Sequence, residues 1–135
     1  MDNNYNTAFI SGYDNVGGIA GLFSYYYTGV VAVNISLGSS LSAESSGARV
    51  YCGSGPNSNN KARSDMVLTI AGVPVQNSPY GNDGLAVAIG TAQSSVFEYL
   101  DTSIWSIPNG NLSVNSALPT LHGMPPGAQN PVLLP

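Results

Sequence analysis

Apolar positions along this chain fall in short clusters separated by Gly, Ser, Asn and Pro, which is the pattern of many short strands and not of long amphipathic helices. The clearest cluster runs from Thr28 to Leu37. There the alternation is two-residue, with Val31, Val33, Ile35 and Leu37 on one side and Ala32, Asn34 and Ser36 on the other. It predicts a strand with one buried face. Further strands are expected at Ala8-Phe9-Ile10, at Gly18 through Phe23, at Ala48 through Cys52, at Asp65 through Ile70, at Leu85 through Ile89 and at Ser103 through Ile107. One helical turn is expected between Thr91 and Leu100, where Val96, Phe97 and Leu100 share a face and Thr91 or Ser94 could cap.

The clusters repeat. Gly18-Ile19-Ala20-Gly21 returns loosely as Val50-Tyr51-Cys52-Gly53, and each is followed by a polar stretch, 24–28 and 54–60. A second strand then follows, Val31-Ala32-Val33-Asn34 matching Lys61-Ala62-Arg63-Ser64, with Ile35-Ser36-Leu37 matching Val67-Leu68-Thr69. The spacing from Gly21 to Gly53 is close to that from Ala32 to Ala62. Both give a period near thirty, in the range of solenoids, in which each coil buries its face against the next. Glycines at Gly17, Gly18, Gly21 and Gly53 would let successive coils lie close. The expectation is an all-β fold, a β-solenoid or β-helix-like stack with Ile19, Leu22, Val31, Val33, Ile35, Val50, Val67 and Leu68 inward. A β-sandwich, with consecutive strands paired as hairpins, is the alternative.

The segment Asn15-Val16-Gly17-Gly18-Ile19-Ala20-Gly21 resembles the GLUG-motif repeats of large bacterial cell-surface proteins. Val30-Val31-Ala32-Val33-Asn34 is similar to the strand that follows the motif in that family. Ser46 through Gly53 resembles a divergent companion repeat, departing at Tyr51-Cys52 where a smaller residue is usual, and Asn59 through Met66 resembles its continuation. The resemblance covers roughly 8–75. A second part, Ser103-Ile104-Trp105-Ser106-Ile107 with Leu118-Pro119-Thr120-Leu121, is similar to the segment that closes such arrays. What the resemblance implies is a β-helix-like, non-catalytic region of an exported protein, discussed as adhesin or envelope component.

Composition narrows the function. The 135 residues suit one domain or a few coils, and only 7% are charged, against roughly 25% in ordinary soluble domains. Three cations, Arg49, Lys61 and Arg63, stand against seven acids for a net charge of −4. No basic patch is available to neutralise phosphates, so nucleic acid is not an expected partner. No apolar run approaches the roughly 20 residues of a membrane span. Cys52 is alone, which excludes an internal disulfide. The N-terminal Met1-Asp2-Asn3-Asn4 lacks the cationic and apolar regions of a signal peptide. The neutral, Ser/Asn/Gly-rich surface favours an extracellular or cell-surface location, with the signal absent from this stretch and the chain forming the C-terminal part of a longer exported protein.

No set of residues points to catalysis. His122 is the single histidine and lies in a Gly/Pro-rich terminal stretch, so no metal or cofactor is expected. No Gly-x-Ser-x-Gly elbow occurs, and Gly53-Ser54-Gly55 reads as a turn. Cys52 beside Tyr51 reads as a buried small hydrophobe. Glu98 and Asp101 read as a solvated face and not as a glycosidase pair. Gly81-Asn82-Asp83-Gly84 reads as a tight turn without the further ligands of a calcium loop. Asn34-Ile35-Ser36 and Asn111-Leu112-Ser113 match the glycosylation pattern without consequence in a bacterial protein. Tyr25, Tyr26 and Tyr27, at an expected corner, are the candidate binding residues, either for glycan or protein contact or as packing against a neighbouring coil.

These readings divide the chain into a Gly-rich β repeat region, 1–100, with units near 8–40, 41–75 and 76–100, and capping strands with a Pro-rich tail, 101–135. Trp105 and Leu118 through Leu121 are expected to cover the last coil, leaving the N-terminal edge open to self-association. The expected function is a non-catalytic structural or adhesive module, self-associating or binding a protein or glycan at a host or envelope surface. The alternative is a carbohydrate-binding accessory module of a larger surface enzyme.

Overall fold

The computed structural model describes residues 4–23, 30–53, 57–78, 81–125 and 127–135. The first stretch carries β1 (Asn4–Asn6), β2 (Ile10–Gly12), β3 (Val16–Gly17) and β4 (Ala20–Phe23). The second carries β5 (Val31–Ala32), β6 (Asn34–Ser36), β7 (Ser40–Ala43), β8 (Gly47–Ala48) and β9 (Tyr51–Gly53). Then come β10 (Asn57–Ser58), β11 (Lys61–Arg63), β12 (Val67–Ile70) and β13 (Val73–Val75), a 3-10 turn at Gly81–Asp83 and β14 (Leu85–Val87). The remainder holds α1 (Gln93–Val96), β15 (Trp105–Ser106) and β16 (Thr120–Leu121). The fold is all-β, its sheets small and mixed. No helix among the described residues is long and apolar enough to cross a membrane.

Pairing is dominated by parallel ladders between strands far apart in sequence. Asn4 lies opposite Asn34, Ile10 opposite Leu41, Val16 opposite Gly47 and Ala20 opposite Tyr51, so the chain keeps returning to the same place at the period read from its glycines. The next returns are shorter. Ile35 lies opposite Lys61 and Leu41 opposite Leu68, and the return from Lys61 to Leu85 is shorter still. Among the described residues only β12–β13 and β15–β16 pair as antiparallel neighbours.

These registers correct the sequence matching beyond the first return. Ala62 faces Ser36 and not Ala32, and Val67 faces Ser40 and not Ile35, because the third stretch is shorter. Gly21 does not face Gly53, since the ladder slips there: Ala20 faces Tyr51, Leu22 faces Cys52 and Phe23 faces Gly53. What fixes the register is a file of amides running from strand to strand. Asn4 Nδ2 donates to Asn34 Oδ1 at 3.1 Å, Asn34 Nδ2 to Asn60 Oδ1 at 3.2 Å, and Asn60 Nδ2 to the Val31 carbonyl at 2.8 Å. Asn60 Oδ1 also accepts from the Asn34 backbone N–H at 3.0 Å. Asn34 is fully buried and Asn60 nearly so, and a buried amide misplaced by one position would leave several polar groups without partners.

The same corner breaks the strand expected over Thr28 to Leu37. Val33 sits between β5 and β6 at φ 55°, and Asn59 holds the equivalent place between β10 and β11 at φ 53°. The two-residue alternation therefore stops at Val33, which is half-buried and outside any strand. Of the other residues expected inward, Val31, Ile35, Val50 and Leu68 are buried. Ile19 is half-buried, the Leu22 side chain lies outside the described residues, and Val67 is exposed because the alternation of β12 turns Leu68 inward in its place.

Two cores result. One is interior, made of Val16, Leu41, Ala43, Met66 and Leu68 with Ile10 against them. The other lies on the opposite face of the β1-β6-β11-β14 sheet, where Ile35, Leu37 and Val87 are covered by Val96, Phe97, Leu100, Leu112, Leu118 and Leu133. The helical turn forms where expected, with Val96, Phe97 and Leu100 buried, but its N-cap is Ala92 with no side-chain cap. Trp105 and the Leu118–Leu121 region also differ from expectation in what they cover. β15 and β16 pair with each other, and the Trp105 ring packs at a tilt against Tyr5 of the first strand, centroids 5.5 Å apart; the Tyr5 hydroxyl donates to the Pro119 carbonyl at 2.6 Å. The tail therefore lies across the face of the β1-β6-β11-β14 sheet, from Tyr5 of its first strand to Val87 of its last. The β2-β7-β12 sheet ends differently: β13 folds back on β12, with Pro74 removing an edge donor.

Two substitutions test the corner. Replacing Asn60 by Ala removes its three interior hydrogen bonds, to the Val31 carbonyl and from the Asn34 backbone and side-chain N–H groups, and should lower unfolding free energy by about 3 kcal/mol, read from the urea midpoint. Val33→Asn relieves a β-branched residue from left-handed backbone and should raise it by about 1 kcal/mol. A midpoint unchanged or lowered by Val33→Asn would count against the strain.

Candidate functional site

Tyr25, Tyr26 and Tyr27, the binding candidates of the sequence, lie outside the described residues. The repeat glycines are placed by the backbone around them. A Cβ on Gly17 would overlap the Ala20 carbonyl, and one on Gly18 would overlap the Arg49 carbonyl and the Ser36 hydroxyl. Gly21 is the extra residue at the slip of the β4–β9 ladder, and Gly53 takes φ 152°. Gly17, Gly18 and Gly21 thus allow close approach of neighbouring segments.

Candidate chemistry is dispersed. His122 is exposed, its Nε2 3.2 Å from the Thr102 carbonyl. Cys52 is half-buried with Ser46 Oγ at 3.7 Å and Asn15 Oδ1 at 3.9 Å. Asp83, in the expected turn, is buried and accepts the N–H groups of Arg49 and Ser78 at 2.9 and 2.7 Å. Asp101 accepts both the N–H and the hydroxyl of Ser103, which hold its carboxyl below the usual carboxylate range. Glu98 turns instead to Lys61, so the two acids do not share a site. Among the described residues no three His, Cys, Asp or Glu side chains come together as metal ligands.

The feature that sequence reasoning missed is what the cations do. Arg49, Lys61 and Arg63 are all buried, at 1, 4 and 5% exposure, so the surface of the chain carries no Lys or Arg. Alternation along β11 sends Lys61 and Arg63 to one face and Ala62 to the other. Lys61 Nζ then meets the end of α1, donating to the Ser95 carbonyl at 2.6 Å, the Val96 carbonyl at 3.1 Å and Glu98 Oε1 at 2.8 Å. The carbonyls closing a helix have no partner within it, and an ammonium supplies one. Arg63 binds the Leu134 carbonyl at 2.7 Å and forks onto Asp65 at 2.6 and 3.0 Å. Arg49 joins three segments through the carbonyls of Arg63, Ser78 and Gly84. A cation in an apolar β-strand of so uncharged a chain was the signal available.

Lys61 thereby builds a cleft. Glu98 and the half-exposed Tyr99 are held on one wall, with the ammonium 5.2 Å from the Tyr99 ring centroid. Asn57, Asn59 and Asn60 form the other wall, with Gly84 and Leu85 between, around a volume of ≈ 220 Å³. Asn57 Nδ2 donates to the Tyr51 hydroxyl at 2.8 Å, which fixes the amide; burial raises the pKa of that hydroxyl. A wider groove of ≈ 500 Å³ begins on the far side of Glu98, between Ser94 and Asn111. No family model matches this chain, and no curated protein or solved structure is similar to it.

Acid tests the Arg63 anchor. The hydrogen bond from Arg63, with its charge, holds the Asp65 carboxyl below the usual carboxylate range against the opposing effect of burial. The resulting stabilisation is complete above the unfolded-state pKa near 3.9 and is lost as the pH falls through the lower folded value. Because Asp65 is half exposed, the contribution is under about 1 kcal/mol. Asp65→Asn should lower stability at neutral pH by that amount and flatten the slope of unfolding free energy below pH 4, measured by urea titration at several pH values. An unchanged slope would remove the ion pair from the acid response.

Proposed function

We propose that this chain is a non-catalytic structural or adhesive module of an exported bacterial protein, wound as a β-solenoid and associating through the edge formed by β1, β2, β3 and β4. The observation that carries the reading is the place of these strands in their ladders. Among the described residues each of the four stands at a margin of its sheet, and of the opposite margins only that of the β2-β7-β12 sheet is covered by a hairpin, β12–β13. Parallel pairing of strands one return apart supports a solenoid over a sandwich, whose consecutive strands would pair as hairpins. The GLUG resemblance fits the same architecture, and a surface without Lys or Arg fits a partner other than nucleic acid.

An open row of strands is a template for pairing. In isolation its partner is a second copy of the chain, and a twofold arrangement brings the two edges together in opposite directions. Light-scattering mass should rise from one chain toward two across a concentration series. Ser11→Lys sets a charge on the exposed side of β2 and should hold the mass at one chain while leaving the circular-dichroism spectrum unchanged. A mass of one chain at every concentration, or undiminished association of a folded Ser11→Lys protein, would overturn the association.

A further inference from the structure

We propose that the cleft between β10–β11 and the residues following α1 binds one ring of a neutral saccharide. The site is small, ≈ 220 Å³, and pre-formed, because its two walls are tied to one buried ammonium. On one wall Tyr99 offers a half-exposed ring face, and Leu85, also half exposed, adds apolar surface. The C–H face of a pyranose packs against such surface, as apolar groups do against aromatic rings. The polar groups beside it suit hydroxyls, which donate and accept at once. Glu98 keeps Oε2 without a protein partner after Lys61 takes Oε1, and can accept from a ligand hydroxyl. Asn57 has its N–H engaged by Tyr51 and its carbonyl oxygen available, and Asn59 presents both halves of an exposed amide.

The ligand's charge follows from the donors already used. All three N–H donors of Lys61 are satisfied by Ser95, Val96 and Glu98, and the chain has no other cation at the surface. An anionic sugar would meet the Glu98 carboxylate while the one cation lining the cleft, Lys61, has its donors taken, and it would carry a desolvation cost. Neutral pyranosides are therefore selected over their uronates.

The site is independent of the strand edge and can be tested on the chain at concentrations where it is a monomer. Amide spectra of the labelled protein are titrated with methyl glucoside, methyl galactoside and methyl mannoside, and with the corresponding uronates. At least one neutral glycoside should shift the resonances of Asn57, Asn59 and Tyr99, and its uronate should bind more weakly. Tyr99→Ala should weaken binding about tenfold, whereas Tyr13→Ala, a 78% exposed tyrosine away from the cleft, should not change it. Both variants are checked for an unchanged thermal midpoint, and Tyr99→Phe, which keeps the ring, should retain binding if Tyr99→Ala proves unstable. No shift with any neutral glycoside, equal binding of the uronates, or loss of binding in Tyr13→Ala would overturn the proposal.

Discussion

Placing a cation in a protein interior is costly unless its donors find acceptors, and the three cations of this chain are met mainly by backbone carbonyls, with the Arg49 Nε a buried donor left without one. Two of those carbonyls stand at the end of α1, one at Leu134, and three around Arg49. That arrangement explains how a chain with so few charges and with such short strands is assembled from separate pieces. Short strands bring few ladder bonds. The ammonium and guanidinium groups supply joints between segments that no ladder connects, and the apolar clusters fill the space around them.

The division of labour is visible across the β1-β6-β11-β14 sheet. On its inner side, amides run from strand to strand and set which residue lies above which. On its outer side, Tyr5, Ile35, Lys61 and Leu85 form one row, and the C-terminal third of the chain lies over it. The cleft exists because this row changes character along its length. Ile35 is buried and Tyr5 half-buried against Phe97 and Trp105, Lys61 draws the end of α1 down, and Leu85 is left half exposed at the margin. A small recess next to a rigid joint is the geometric outcome.

Much of the architecture could be read from residue order. Short strands, the single helical turn with its Val96, Phe97 and Leu100 face, the period of the first return, and the strand at Trp105 follow from local pattern, while the strand at Leu121 is expected only from the resemblance. The later registers could not be read, because matching by small apolar residues aligned Ala62 with Ala32, while buried amides join Asn60 to Asn34. Asparagine is so common in turns that its one interior use carries no local mark. Val33 misled for a related reason: a β-branched residue in an alternating run reads as strand, and only tertiary contacts hold it at positive φ. The cleft was invisible for a stronger reason. Lys61 lies far along the chain from Glu98 and Tyr99, and their meeting depends on the tail crossing the sheet.

Tyr5 adds a consequence in time. Its hydroxyl binds the carbonyl of Pro119, near the other end of the chain, and its ring is enclosed by Phe97 and Trp105. The earliest strand of this stretch to leave a ribosome is thus among the last to reach its final surroundings. Contacts of such sequence separation slow folding, since the entropy of closing the intervening loop is lost before the contact forms. Until the tail arrives, the Tyr5, Ile35 and Leu37 row faces water as an apolar band beside open strand edges. A nascent chain in that condition is a substrate for holdase chaperones, and the rate at which its final third emerges sets how long it needs them.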